Sequence, residues 1–223
     1  MTPELFRFFK ELSRNNNREW FTKNKDRYQL VVRDPLLDLV EEFAPYLEKI
    51  SPHYVADPRP VGGSLFRIYR DTRFSKDKRP YKTHAGLHFR HIHANDVHAP
   101  GFYLHLEPGE VFCAVGIWRP RSETARAVRD AIVASPEPWR RALASRAFRA
   151  RFQLDDSRLK RPPRGYDPDH PLVEDLKLKQ FTAMMSLSES DACAPDFLAR
   201  FAKICTATSP YMQFLTQAVG LEW

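Results

Sequence analysis

Gly101-Phe102-Tyr103-Leu104-His105-Leu106-Glu107-Pro108-Gly109-Glu110-Val111-Phe112-Cys113-Ala114-Val115-Gly116-Ile117-Trp118 reads as two strands around a tight turn. Pro108-Gly109 is a strong reversal signal between apolar runs, so strands are predicted over 102–107 and 111–118. Alternate residues of a strand face opposite ways. Phe102, Leu104 and Leu106 therefore share a core face, while Tyr103, His105 and Glu107 share a face that is at least partly wet.

Upstream of this hairpin the spacing is helical. Thr2-Pro3 forms a cap and first-turn pair for a helix carrying Leu5, Phe8, Phe9 and Leu12. Asn15-Asn16-Asn17 interrupts it, and a second helix carries Trp20, Phe21, Tyr28 and Val32 as far as Asp34-Pro35, a new cap. The third bears Leu36, Val40, Phe43, Leu47 and Ile50, with a kink expected at Pro45. Residues 51–63 read as loop, and 65–70 and 87–90 as strands. Downstream, helices are expected from Ser122-Glu123 and over 136–151, a proline-held loop over 160–171, a strand over 182–188, and terminal helices over 194–206 and 209–219. Because the clearest strands are linked by a hairpin rather than by helical crossovers, the fold class is α+β. A central, mainly antiparallel sheet with N-terminal and C-terminal helices packed on it is expected, as a single domain over 1–223.

The 223 residues are 43% hydrophobic and 13% aromatic, ample for a core, and 28% charged. No apolar run approaches the ~18 residues of a spanning helix, and Met1 to Lys10 lacks the pattern of an export signal, so a cytoplasmic protein without a membrane partner is expected. Cys113, Cys193 and Cys205 form no CxxC pair, which indicates reduced thiols rather than disulfides or a cysteine-based zinc site. The net charge of +7 is concentrated in two segments, 59–90 and 140–164, each with nine Lys/Arg against two Asp. Two such segments either converge into one anion-attracting surface or lie on unrelated solvated faces.

The densest chemistry runs from Arg67 to Tyr81. Arg67, Arg70, Arg73 and Lys78 are the candidate ligand-binding residues, because guanidinium forks grip carboxylate or phosphate through paired hydrogen bonds and an ammonium adds a point charge. Asp71, Tyr81 and His84 are the candidates for handling a proton. On a regular strand Arg67 and Arg70 face opposite ways, so a bend is expected near Asp71. The competing reading is a salt-bridge network in which the arginines satisfy Asp71 and Asp77 and pin a long loop.

Arg-x-x-Arg-Asp-x-Arg-Phe followed by Lys and Tyr, here Arg67, Arg70, Asp71, Arg73, Phe74, Lys78 and Tyr81, resembles the hallmark of a conserved, functionally uncharacterised family, a domain of unknown function found in bacteria and in some longer fungal proteins. The resemblance extends over most of the chain, including Asn17 to Phe21 and the Gly101 to Trp118 hairpin. It implies that the hallmark residues act as a unit, and it assigns no reaction.

Six histidines lie between His84 and His105, and His91-x-His93 places two on one strand face. None of these spacings matches an established metal chemistry, so no metal site is expected; a coordinating carboxylate, if one joined, would be Glu107 or Asp96. Asp167, Asp169, His170, Glu174 and Asp175 form a second polar cluster that could face the arginines. Phosphate-loop, dinucleotide and GxSxG motifs are absent, so no cofactor is assigned. Three functions compete: an anionic small-molecule site, whether or not an enzyme; a structural or protein-interaction module; and, ranked last, nucleic-acid binding.

Overall fold

The computed structural model describes residues 1–94 and 98–223. Helix α1 (Pro3–Arg14) buries Leu5, Phe6, Phe8, Phe9 and Leu12 on one face. It stops at Asn15, whose backbone N–H and Nδ2 both donate to Glu11 O. Asn17 then opens α2 (Arg18–Lys23) by accepting from Trp20 N at 2.9 Å, and α3 (Lys25–Tyr28) follows. The expected fresh start at Asp34-Pro35 does not occur. A π-helical turn, Gln29–Arg33, leads straight into α4 (Asp34–Ile50). Pro35 has no N–H to donate and crowds the preceding turn, and the wider π turn accommodates both effects. Helix α4 continues through Pro45 and buries Leu36, Leu39, Val40, Phe43 and Leu47.

The sheet has six strands: β1 (Tyr54–Val55), β2 (Ala85–His91), β3 (Gly101–Glu107), β4 (Glu110–Ile117), β5 (Gln153–Leu154) and β6 (Phe181–Leu187). Their order is β1-β2-β3-β4-β6-β5, and every neighbouring pair is antiparallel. Helices α5 (Ser122–Ala134), α6 (Pro136–Ala144), α7 (Arg146–Arg149), α8 (Val173–Leu176), α9 (Glu189–Ala192), α10 (Phe197–Ala207) and α11 (Ser209–Ala218) complete an α+β fold. Leu87 and Phe89 of β2, Phe102 and Leu104 of β3 and Val115 and Ile117 of β4 are buried in one hydrophobic core with Phe8 of α1, Phe43 of α4, Phe201 of α10 and Leu215 of α11. Phe43 lies 4.7 Å from Phe89 and 4.9 Å from Phe201, ring to ring, which ties α4 and α10 to this face. Among the described residues no helix is long and apolar enough to cross a membrane.

Several elements differ from the sequence expectation. Residues 65–70 form no continuous strand: Leu65 bridges to Leu87, and Tyr69 bridges to Tyr81. The segment folds back on itself, with Lys82 N donating to Ile68 O and Arg70 N to Pro80 O, so the reversal falls between Arg70 and Pro80. The loop over 51–63 contains β1, and β5 arises inside the second basic segment. The single helix expected over 136–151 is divided at Ser145, whose extended backbone (ψ 133°) ends α6 and whose Oγ accepts from Phe148 N to begin α7.

Candidate functional site

The sheet face opposite the helices carries a different set of side chains. His88 of β2, Tyr103, His105 and Glu107 of β3, Phe112 and Ala114 of β4, and Thr182 and Met184 of β6 share it, with Gly86, Gly101 and Gly116 between them. Register sets His88 opposite Tyr103 and His105 opposite both Gly86 and Phe112. The glycines make room for rings. A Cβ on Gly101 would stand 2.1 Å from His88 Nε2, and one on Gly86 would stand 2.5 Å from the Tyr103 hydroxyl. Above this floor lies a pocket of about 390 Å³ walled by Phe66, Tyr103, Phe112, Trp118 and Met184, with His84 and His88 in its lining. Trp118 is held from both chain directions: the Arg119 guanidinium stands 4.5 Å from its ring, and His98 stacks on it at 5.8 Å.

A polar cluster adjoins the pocket at His84 and Tyr103 of its lining. Tyr103 Oη and His105 Nδ1 are 3.0 Å apart, His105 Nε2 lies 3.2 Å from Glu107 Oε2, and Thr83 Oγ1 donates to Glu107 Oε1 at 2.7 Å. His84 Nδ1 lies 3.8 Å from Glu107 Oε2, and the His84 and His105 rings are 4.4 Å apart. The β2–β3 register explains this meeting, because Ala85 pairs with Leu106 and the next step outward sets His84 against Glu107. Burial pushes His84 down to about 4, with the neighbouring His105 adding to the effect, so the imidazole is neutral at physiological pH. His88 is likewise pushed down to about 4 by burial, and its Nδ1 is buried without a hydrogen-bond partner.

The hallmark residues are arranged otherwise. Arg70 bonds Asp77 at 2.7 Å and the carbonyl of Arg79; Arg73 grips Asp71; Arg79 grips Asp77; and Lys78 donates to Thr72 O at 2.9 Å. Asp71 thus orients Arg73, and Asp77 joins Arg70 to Arg79. Tyr81 is buried and stacks on Phe21 at 4.1 Å, while its backbone N–H and carbonyl bond the Asn16 side chain. Phe74 is 95% exposed at the hairpin tip. Of Arg67, Arg70, Asp71, Arg73, Lys78, Tyr81 and His84, only His84 lines the pocket. Arg67 is exposed and, among the described residues, has no side-chain hydrogen bond or ion pair. Lys82 resembles it in this respect. Its ammonium lies 5.3 Å over the ring of Phe66, a pocket wall, with no carboxylate partner among the described residues, and burial together with Arg67 lowers its pKa.

The remaining candidates lie elsewhere. His91 Nε2 bonds Glu222 O at 2.9 Å and its Nδ1 accepts from His93 N, so both nitrogens of the His91 ring are engaged with backbone. Asp96 lies outside the described residues. In the acidic cluster, Asp175 accepts from Trp139 Nε1 and Glu174 pairs with Lys177, partners within the C-terminal half rather than the 67–79 arginines. The two basic segments meet opposite edges of the sheet, one bridging to β2 through Leu65 and the other supplying β5. Cys113 and Cys205 are buried, and burial pushes Cys113 up to about 12, far from a reactive thiolate. Sequence reasoning did not single out Lys82 or Trp118 as site residues, and it named His88 only as one of the six histidines. The available signal was the polar face of the hairpin, Tyr103, His105 and Glu107, extended by register onto the neighbouring strand.

No curated protein matches the chain. A family model described as a conserved hypothetical protein (DUF2461) matches residues 4–214, and the chain belongs to that family.

Proposed function

We propose that the open-face pocket binds a small molecule with an apolar or aromatic body and a carboxylate or phosphate group. The observation that carries this reading is Lys82, a cation with no counter-ion among the described residues, held against Phe66 in the wall of an aromatic cavity. A half-buried ammonium held against Phe66 loses hydration without gaining a carboxylate, and an anionic ligand restores that loss. The body of the ligand stacks among Phe66, Tyr103, Phe112 and Trp118, and neutral His84 supplies a donor or acceptor inside. The other hallmark cations, Arg70, Arg73 and Lys78, act in this reading as braces of the hairpin, because each already has a partner inside the segment.

A thermal-shift screen of carboxylates and phosphorylated metabolites tests the proposal. A ligand present at a hundredfold over its Kd should raise Tm by about 5–10 °C for a chain of this size. Lys82→Ala should abolish most of that shift and Arg73→Ala should leave it intact. A screen with no hit, or a hit equally strong in Lys82→Ala, removes the basis for the reading.

A further inference from the structure

Two imidazoles and one carboxylate face one another next to the pocket, whose lining reaches them at His84 and Tyr103, and their hydrogen-bond partners approach from behind. We propose that His84, His105 and Glu107 form a binding site for one divalent first-row transition-metal ion, with its remaining coordination positions open to the pocket. One ligand atom from each residue falls within 4.8 Å of the other two. Metal–ligand bonds of about 2.0–2.1 Å place neighbouring ligand atoms roughly 3.0–3.4 Å apart. His105 Nε2 and Glu107 Oε2, at 3.2 Å, already have that spacing, and His84 Nδ1, at 3.8 Å from Glu107, needs only a small inward rotation.

The outer contacts match those of a metal centre. The Tyr103 hydroxyl meets His105 at Nδ1, the nitrogen turned away from the cluster, and Thr83 donates to Glu107 Oε1, the oxygen turned away from it. Such partners fix ring orientation and keep the ligating atom free. The tyrosine hydroxyl can accept as well as donate. On metal binding His105 therefore moves its ring proton from Nε2 to Nδ1 and donates it to Tyr103, with no net proton change. Two imidazoles with one carboxylate favour zinc, iron, manganese or cobalt over magnesium or calcium, whose sites are built from oxygens. Three protein ligands also leave room for water or a substrate oxygen, the arrangement of catalytic rather than structural sites. The inference shares the pocket of the ligand reading, but it is tested without any organic ligand.

The test is calorimetric titration of the chelator-treated full-length chain with Zn2+ and, anaerobically, with Fe2+ and Mn2+, with stoichiometry checked by elemental analysis. One equivalent should bind. Glu107→Gln and His105→Ala should each weaken binding by more than about 100-fold, and Tyr103→Phe, which touches only the outer contact, by about 10-fold. His93→Ala, at an exposed position outside the cluster, should bind as the parent does. Circular dichroism and cooperative melting establish that the variants are folded. If His105→Ala fails that check, Glu107→Gln, nearly isosteric, decides the matter. Absence of saturable binding by the parent, or unchanged affinity in folded Glu107→Gln, overturns the proposal. Metal binding without any organic hit would leave the metal site standing and remove the anion reading; an organic hit without metal binding would do the reverse.

Discussion

In the hairpin between Arg70 and Pro80 each carboxylate is held by arginine: Asp71 by Arg73, and Asp77 by Arg70 and Arg79. On the open face of the sheet, His84 and His105 share the carboxylate of Glu107, and among the described residues His88 Nδ1 has no partner and the Lys82 ammonium has only an aromatic ring. The first region is rich in charge and internally satisfied. The second has few polar groups in apolar surroundings, and those groups are incompletely satisfied. Interaction with a further molecule is favoured where desolvation has occurred without a compensating bond, so the region with fewer charges is the better candidate site.

The largest effect that would sharpen this contrast is expected at the floor of the open face. Gly116 has φ +113°, and a Cβ there would stand 1.9 Å from the carbonyl oxygen of Phe181. Gly116→Ala should cost about 2–4 kcal/mol in urea unfolding, from backbone strain and overpacking together. Acid titration separates the regions next. His88 titrates at about 4 in the folded chain against an ordinary 6.5, so the unfolded chain takes up the proton first as pH falls. Its contribution is intact above pH 6.5 and declines toward pH 4, a loss of about 3 kcal/mol that His88→Phe should abolish. Asp71 is held at about 2, below its ordinary 3.8, by hydrogen bonds from Arg73, so its contribution persists down to about pH 3.8 and fades only below that. Equal acid sensitivity of both regions would break the comparison. The smallest effect belongs to Arg70→Ala, which loses the Asp77 pair and the Arg79 carbonyl contact; Tm should fall by about 2 °C, with no change in any ligand-induced shift.

The sheet hairpin was legible because turn chemistry and alternation agree: Pro108-Gly109 separates β3 from β4, and Tyr103, His105 and Glu107 share the wetter face as expected. The N-terminal helices were legible for the same reason, since Leu5, Phe8, Phe9 and Leu12 leave little choice of face. Tyr54-Val55 escaped notice because two residues among prolines carry no period, and their strand character comes from pairing with Arg90 and His91. The 65–70 segment has strand-like residues, but its partners are the far arm of its own loop and one edge of β2, which yields bridges rather than a ladder. The trio proposed to hold a metal was only half visible. His105 and Glu107 are two apart on a recognisable strand, whereas His84 joins them through the register of β2 against β3, which no local pattern encodes.

The π turn before Pro35 also sets the angular phase of the N-terminal scaffold. Tyr28, Val32, Leu36 and Val40 succeed one another every four residues and all turn inward to some degree. In an uninterrupted α-helix each step of four advances about 40° around the axis, and three steps would carry the row roughly 120° away from where it began. The wider turn at Gln29–Arg33 takes back part of that rotation, so Tyr28 can meet Phe8 and Phe21 while α4 presents Phe43 to the sheet. Removing Gln29 or Arg33 from this turn would preserve every hydrophobic side chain and still aim half of the stripe at water.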